Sequence, residues 1–389
     1  MEKWHANWNY PTSIRVGAGR IRELADACKA LGLRAPLLIT DPGLAALPMV
    51  EDAVSACCNA AVRCGLFPNI QGNPTGSNVA GGVAAFRAGD HDGVIAFGGG
   101  SALDAAKAVA LMVGQDRPLW DFEDVGDNWT RVNEAGVVPI VAVPTTAGTG
   151  SEVGRASVIV DELRHVKKII FHPKMLPSIV ILDPELTIGL PAHLTAATGM
   201  DALSHNLEAF CSPYYHPMAQ GIAMEGARLV QQYLPRSVAD GSDIEARAQM
   251  LVAASMGATA FQKGLGGMHA LAHPLGALYD AHHGLLNAIL MPYVLEANRR
   301  AIEAPLEHLA RYLDIADPGF DGFLHWILEL RERLDIPNSL AAIDIDDNDA
   351  ETVGRMAARD PSAGGNPIAF SAEEYSQIFR AAVHGELQA

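Results

Sequence analysis

The sequence of 389 residues predicts two domains, an α/β domain followed by an all-helical one. Three observations predict it. Between Tyr10 and Asp183, short β-rich apolar runs alternate with Ala-rich helical stretches, the pattern of a parallel sheet flanked by helices. Each clear apolar run ends in turn chemistry. After Pro184 the chain turns Ala-, Leu- and Met-rich with helical periodicity and few strand signals. The boundary is expected near residue 187, dividing the chain into 1–187 and 188–389, sizes usual for domains.

Taken in order, the strands are expected at Pro36–Thr40, Gly93–Phe97, Val137–Val143 and Ser178–Leu182. The first three run into Asp41-Pro42-Gly43, Gly98-Gly99-Gly100-Ser101 and Pro144-Thr145-Thr146. Ligands of open α/β sheets bind beyond the carboxyl ends of strands, so these loops are predicted to face one crevice. In the second half, the acidic stretch Ala341–Asp349 reads as a solvated loop, with a last helix starting near Ser371.

Gly98–Ser101 follows a strand and precedes a helical run near Ala102, so backbone N–H groups there can approach a pyrophosphate at a helix N-terminus. It is not the G-x-G-x-x-G fingerprint, and an ordinary tight turn is the competing reading. The stretch Pro144–Glu152 gathers Thr145, Thr146, Thr149 and Ser151 with two glycines, donors and acceptors suited to ribose, phosphate or a nicotinamide amide. A helix cap built on Thr149 or Ser151 with Glu152 explains it equally well. Asp41 can accept bonds from an adenosine ribose and would repel a 2′-phosphate, which favours NAD over NADP; alone, it is a turn former.

Charge and composition narrow the partners. A formal net charge of −17 without a basic cluster argues against nucleic acid or an anionic membrane. The five cysteines, Cys28, Cys57, Cys58, Cys64 and Cys211, contain no C-x-x-C pair and read as reduced thiols of a cytosol. Met1–Tyr10 lacks the order of a signal peptide, and no apolar run reaches membrane-spanning length. A soluble cytoplasmic protein is expected.

In the second half, Asp201 and His205 are spaced i, i+4 on a predicted helix, as are His269 and His273; His282-His283-Gly284 follows. Any one of these histidines alone reads as a hydrogen-bonded core or surface residue. Together, an aspartate and several imidazoles without thiolates suit Fe²⁺, Zn²⁺ or a similar divalent ion, and an open position on such an ion acts as a Lewis acid.

These motifs resemble the iron-containing alcohol dehydrogenase family, whose fold is similar to dehydroquinate synthase and glycerol dehydrogenase. The resemblance runs from an N-terminal strand at Tyr10-Pro11 and Gly17-Ala18-Gly19 to Gly364-Gly365-Asn366-Pro367, and its most specific segments are Gly98–Asp104, Pro144–Glu152, Leu190–His205 and Gly264–Gly284. It implies Asp201, His205, His269 and His283 as metal ligands and His273 as a proton-relaying residue that does not ligate; His282 has no counterpart among the ligands. For the cofactor it implies Asp41 at the adenosine ribose and Asn73 near the phosphates or nicotinamide ribose. Gly99, Gly100 and Ser101 would lie at the pyrophosphate and Asp104 beside the nicotinamide end, with Thr145, Thr146, Thr149 and Lys167 contributing. Ala260–Gly264 departs from the more frequent Phe-Ser-Asn version, which leaves the substrate open.

The implied reaction, in the cleft between the domains, passes a hydride between a small alcohol and NAD while the proton leaves through the cofactor ribose and His273. Reduction of an acidic aldehyde or keto acid is an alternative. A dehydroquinate synthase-like lyase would need cations for a phosphorylated sugar acid, and the helical half offers few beyond Lys263 and Arg299-Arg300. A nucleotide- or metal-sensing module leaves the joint presence of an open metal site and a hydroxyl-rich loop unexplained. A homodimer is the default assembly.

Overall fold

A computed structural model describes residues 12–164 and 166–387; the expected strand at Tyr10-Pro11 and the reading of Met1–Tyr10 lie outside them. The described residues form two compact units. One runs to Thr146 and resumes over Gly150–Gly189; the other comprises Ala147–Thr149 and the chain from Leu190.

The first unit is built on six parallel strands: β1 (Ser13–Val16), β2 (Pro36–Ile39), β3 (Gly65–Phe67), β4 (Gly93–Gly98), β5 (Ile140–Pro144) and β8 (Ile179–Leu182). Their order is β1-β8-β5-β4-β2-β3. The inner strands are buried along their whole length, as apolar runs covered on both faces must be. Helices α1 (Leu24–Ala30), α2 (Pro42–Ala45), α3 (Pro48–Asn59), α4 (Gly76–Ala88) and α5 (Gly100–Met112) make the crossovers. From β2 the chain moves outward to β3, and from β4 it moves the other way to β5. Neighbouring β2 and β4 therefore flank a switch point, where the loops at their carboxyl ends diverge.

An antiparallel hairpin, β6 (Ala156–Asp161) with β7 (Val166–Phe171), stands apart from the sheet; the family resemblance implies a strand at Lys167, whereas its pairing with β6 was not expected. Strand β7 shows no apolar alternation, because Lys167 and Lys168 occupy successive positions.

The second unit is helical: α6 (Ala192–Cys211), α7 (Pro217–Ala239), α8 (Ile244–Ala260), α9 (Gly267–Tyr279), α10 (His283–Tyr312), α11 (Phe320–Arg333), α12 (Ala350–Ala357) and α13 (Ala372–His384). Ser371 caps α13 in a reciprocal capping box with Glu374, where the sequence places a helix start. A short helical turn, Leu340–Ile343, overlaps the start of the acidic stretch expected to be a loop, before α12. One apolar core joins α6 to α13, with Leu203, Leu207, Leu271, Leu275, Leu290 and Phe379 buried in it.

Close helix approach sets the geometry beside the polar residues of this core. A Cβ on Gly284 would lie 2.5 Å from the Ala197 carbonyl oxygen and 3.1 Å from Asp201 Cβ, so glycine lets the start of α10 seat against α6. Gly284→Ala is expected to cost about 1–3 kcal/mol through forced backbone displacement, read as a lowered urea midpoint of the metal-free protein; an unchanged midpoint would show that α10 yields freely.

Candidate active site

In the α/β unit, the loops expected to bind a dinucleotide come together at the switch point. Gly98 has φ +141°, a backbone conformation that side chains rarely adopt, and its would-be Cβ lies 3.7 Å from Asp41 Oδ2. Asp41 Oδ1 meanwhile accepts from Leu44 N at 2.9 Å, so the turn-former reading also holds in the structure. Gly99 precedes α5 with no side chain capping the helix, and Thr146 stands against it, its Oγ1 3.4 Å from where a Cβ would be. Gly100 and Ser101 open the helix, and Thr145, buried, donates its N–H to the Gly98 carbonyl at 3.0 Å.

Asp104, one turn into α5, is held by its own unit. It receives the Ser151 hydroxyl and Val158 N–H, and pairs with buried Lys107 at 3.2 Å. Burial pushes Lys107 down from the ordinary lysine range, against the pull of Asp104. Asn73 adopts a left-handed conformation just before the capping box of α4, and Lys167 faces Val160 across the hairpin. The short turn Ser151–Val153 starts after Gly150, which is left-handed and stands at its N-cap. Ala147–Thr149 belongs instead to the helical unit, where a Cβ on Gly148 would lie 2.9 Å from Thr198 Cβ on α6.

In the helical unit, Asp201 and His205 project from one face of α6, and His269 from α9. Their ligand atoms all lie within 4.8 Å of one another, and all three residues are buried. The His205 and His269 rings stack at 4.6 Å. His283, at the start of α10, places Nε2 3.7 Å from Asp201 Oδ1 and is the more exposed neighbour of this triad. His273 sits one turn after His269, with its ring stacked 5.4 Å from that of His283. His282 caps α10 by accepting from Leu285 N, a local task.

The chemistry of these donors fits a divalent cation. Asn287 Nδ2 is 2.8 Å from Asp201 Oδ1 and 3.2 Å from both His269 Nε2 and His283 Nε2. An amide nitrogen has two hydrogens for these three atoms; a cation satisfies all three at once. Burial pulls His205 down to about 4, against Asp201, which leaves its imidazole neutral near pH 7 and able to ligate. Burial also disfavours charged His269, yet Glu208, by charge and hydrogen bond, with Asp201 behind it, raises this imidazole overall.

Three polar residues at the site escaped the sequence reading. Glu208 bonds His269 Nδ1 at 2.6 Å, Asp360 bonds His273 Nδ1 at 2.8 Å, and Asn287 joins the ligand atoms. Two had a signal: Asp201, His205 and Glu208 fall at i, i+4, i+7, and His283 and Asn287 at i, i+4, each set on one helix face. Asp360 had none, being 87 residues from its partner. Burial raises the Asp360 carboxyl, but His273 and the Ser362 N–H outweigh it and hold the group below the usual carboxylate range.

The departing segment Ala260–Gly264 puts the Phe261 ring 5.2 Å from that of His205. Lys263 turns away: buried, it donates to the Phe210 carbonyl at 2.8 Å. Arg299 pairs with Asp321 and lies over Phe320. Two of the cations that a sugar-phosphate lyase would recruit here, Lys263 and Arg299, are thus committed within the fold.

A parallel-sheet unit with a glycine loop at its switch point and a helical unit with a buried Asp/His cluster define a metal-dependent, nicotinamide-linked dehydrogenase. Family comparison agrees. Residues 11–184 match "Iron-containing alcohol dehydrogenase" and residues 195–383 match "Fe-containing alcohol dehydrogenase family, C-terminal". The chain is 37% identical over 379 residues to a 4-hydroxybutyrate dehydrogenase of Cupriavidus necator, covering 95% of this chain and 97% of that protein. It is 33% identical to an NAD-dependent methanol dehydrogenase of Bacillus methanolicus, covering 97% and 100%. Among solved structures it resembles a 1,3-propanediol oxidoreductase, with TM-score 0.92, 34% identity and coverage of 97% and 100%.

The chain belongs to the iron-containing alcohol dehydrogenase family. It is a metal- and NAD-dependent alcohol/aldehyde oxidoreductase. No described helix is long and apolar enough to cross a membrane.

Addition of Fe²⁺ or Zn²⁺ to metal-stripped protein is expected to raise its melting temperature, the gain reaching about 2.7 kcal/mol at a hundredfold excess over Kd. Asp201→Asn and His205→Ala should lose that response. A wild-type melt that neither ion moves would refute the binding.

Proposed function

We propose that this enzyme oxidises short primary alcohols with NAD⁺, or reduces the matching aldehydes, at an ion held by Asp201, His205, His269 and His283. The convergence of their ligand atoms around Asn287 carries this reading. Fe²⁺ is the proposed ion; Zn²⁺ accepts the same donors. When bound, the ion supplies Lewis acidity to the substrate oxygen and NAD takes the hydride.

The remaining work falls to side chains. Asp360 engages His273 Nδ1, so Nε2 is the ring atom left to exchange a proton with substrate or cofactor. Phe261 sets an apolar ring against that of His205. Asp41, Asn73, Gly99, Gly100, Ser101, Asp104, Thr145, Thr146, Thr149 and Lys167 are proposed to hold NAD. Support for this is the meeting of Asp41, Gly98, Gly99 and Thr146 at one switch point. On this reading residues 1–187 bind the cofactor and residues 188–389 bind the metal. The relatives named for 4-hydroxybutyrate, methanol and 1,3-propanediol all point to a short primary hydroxyl, the first also to an acidic substrate.

We propose a cytoplasmic homodimer. Its support is that all five cysteines are free, and that β1 ends the sheet with Ile14 and Val16 exposed. Light scattering of the purified protein tests the dimer.

The deciding experiment is an anaerobic assay of metal-stripped protein with NAD⁺ or NADP⁺ and a panel of alcohols, diols and hydroxy acids, before and after Fe²⁺ or Zn²⁺. Metal-restored NAD⁺ reduction is expected, fastest with a short primary alcohol. No turnover on any panel member, with ion and nucleotide both bound, would overturn the reading. His273→Ala is expected to slow turnover by about a hundredfold while retaining bound metal; loss of the metal would instead make His273 a ligand.

A further inference from the structure

Glu208 is a carboxylate inside an apolar core, and each of its oxygens is occupied. Oε2 accepts from Gly266 N at 2.8 Å and from the His269 ring at 2.6 Å; Oε1 accepts from Met268 N at 2.7 Å. These backbone donors are Gly266, the N-cap of α9, which has no side chain to cap the helix, and Met268 in its first turn. The carboxylate therefore caps α9 from α6, one turn beyond His205, and is fixed by two helices at once.

A carboxylate only accepts, so the His269 proton between them lies on Nδ1 and the lone pair on Nε2. Nε2 then points toward Asp201 Oδ1, 3.9 Å away, whereas a ring flip would break the bond to Glu208. We infer that Glu208 is a positioning residue of the metal centre: it sets the ring orientation of His269 and aims Nε2 at the cation. The inference rests on the proposed ligand role of His269. The competing explanation is that Glu208 serves only as a helix cap.

Titration of metal-stripped protein with Co²⁺, followed by its visible absorption bands, separates the two. Glu208→Gln keeps the shape and one backbone acceptor; its affinity for Co²⁺ is expected to fall by about 10- to 100-fold, with altered band positions. Asn366→Ala is the control. Asn366 accepts from Gly267 N at 2.9 Å without touching His269, so its loss should lower the melting temperature and leave Co²⁺ affinity unchanged.

Equal affinity and spectrum in Glu208→Gln and wild type would overturn the inference, leaving a cap. If that variant does not fold, Glu208→Asp serves: withdrawn by one methylene, it should weaken Co²⁺ at least fivefold, and wild-type affinity would again overturn the inference. Wild-type protein that binds no Co²⁺ would instead defeat the underlying metal reading.

Discussion

The burial of polar ligand atoms in an apolar helical core is the constraint on which the site depends. A carboxylate or imidazole taken out of water costs several kcal/mol unless something replaces its hydration. Asp201, His205 and His269 are nearly inaccessible, and each is answered by a specific neighbour or by a neighbour's charge. Asn287 meets Asp201, Glu208 meets His269, and Asp360 meets His273. The helices can come close enough for this because the surrounding contacts are small: Gly284 against Ala197 at the start of α10, and Gly257 with a would-be Cβ 2.9 Å from that of His205. Packing and site chemistry are thus a single problem in this unit.

The α/β unit solves a different electrostatic problem. The chain carries a net charge of −17, and its candidate phosphate site lacks a basic cluster. Attraction for a pyrophosphate must then come from backbone N–H groups at the uncapped start of α5, which glycine leaves open to close approach. On the proposed reading, Asp41 beside the same loop would discourage an additional phosphate. Lys107 is close in sequence but unsuited to the task, since it is buried against Asp104 and the Ala156 carbonyl, where it ties α5 to the hairpin.

The elements that fix the site were legible where a single periodicity determined them. Apolar runs with turn residues behind them marked β2, β4, β5 and β8, and the spacings Asp201/His205 and His269/His273 marked two helix faces. Glu208 continued the first stripe and Asn287 followed His283 by one turn, yet an isolated Glu or Asn on a helix has no chemical signature until its partner is known. Asp360 depended wholly on tertiary folding. The pairing of β6 with β7 hid behind consecutive lysines, and the short turn Leu340–Ile343 ran into a stretch whose charges suggested only solvent. Ala147–Thr149 showed a subtler limit, because no local pattern says that three residues of a strand-end loop will pack with the other unit.

Substrate charge turns on where the fold uses its cations. Lys263 sits in the segment that departs from the family's frequent pattern, where a lysine suggests a partner for an acidic substrate. Its ammonium instead meets the Phe210 carbonyl near the end of α6, a place where helix carbonyls lack partners and the dipole favours positive charge. Arg247 is spent on Thr195 and the carbonyls of Gly241 and Leu190, and Arg331 on those of Ile289 and Pro337. Freeing any of these for a substrate would expose carbonyls that each now satisfies. The positive charge buried in the helical core is therefore structural.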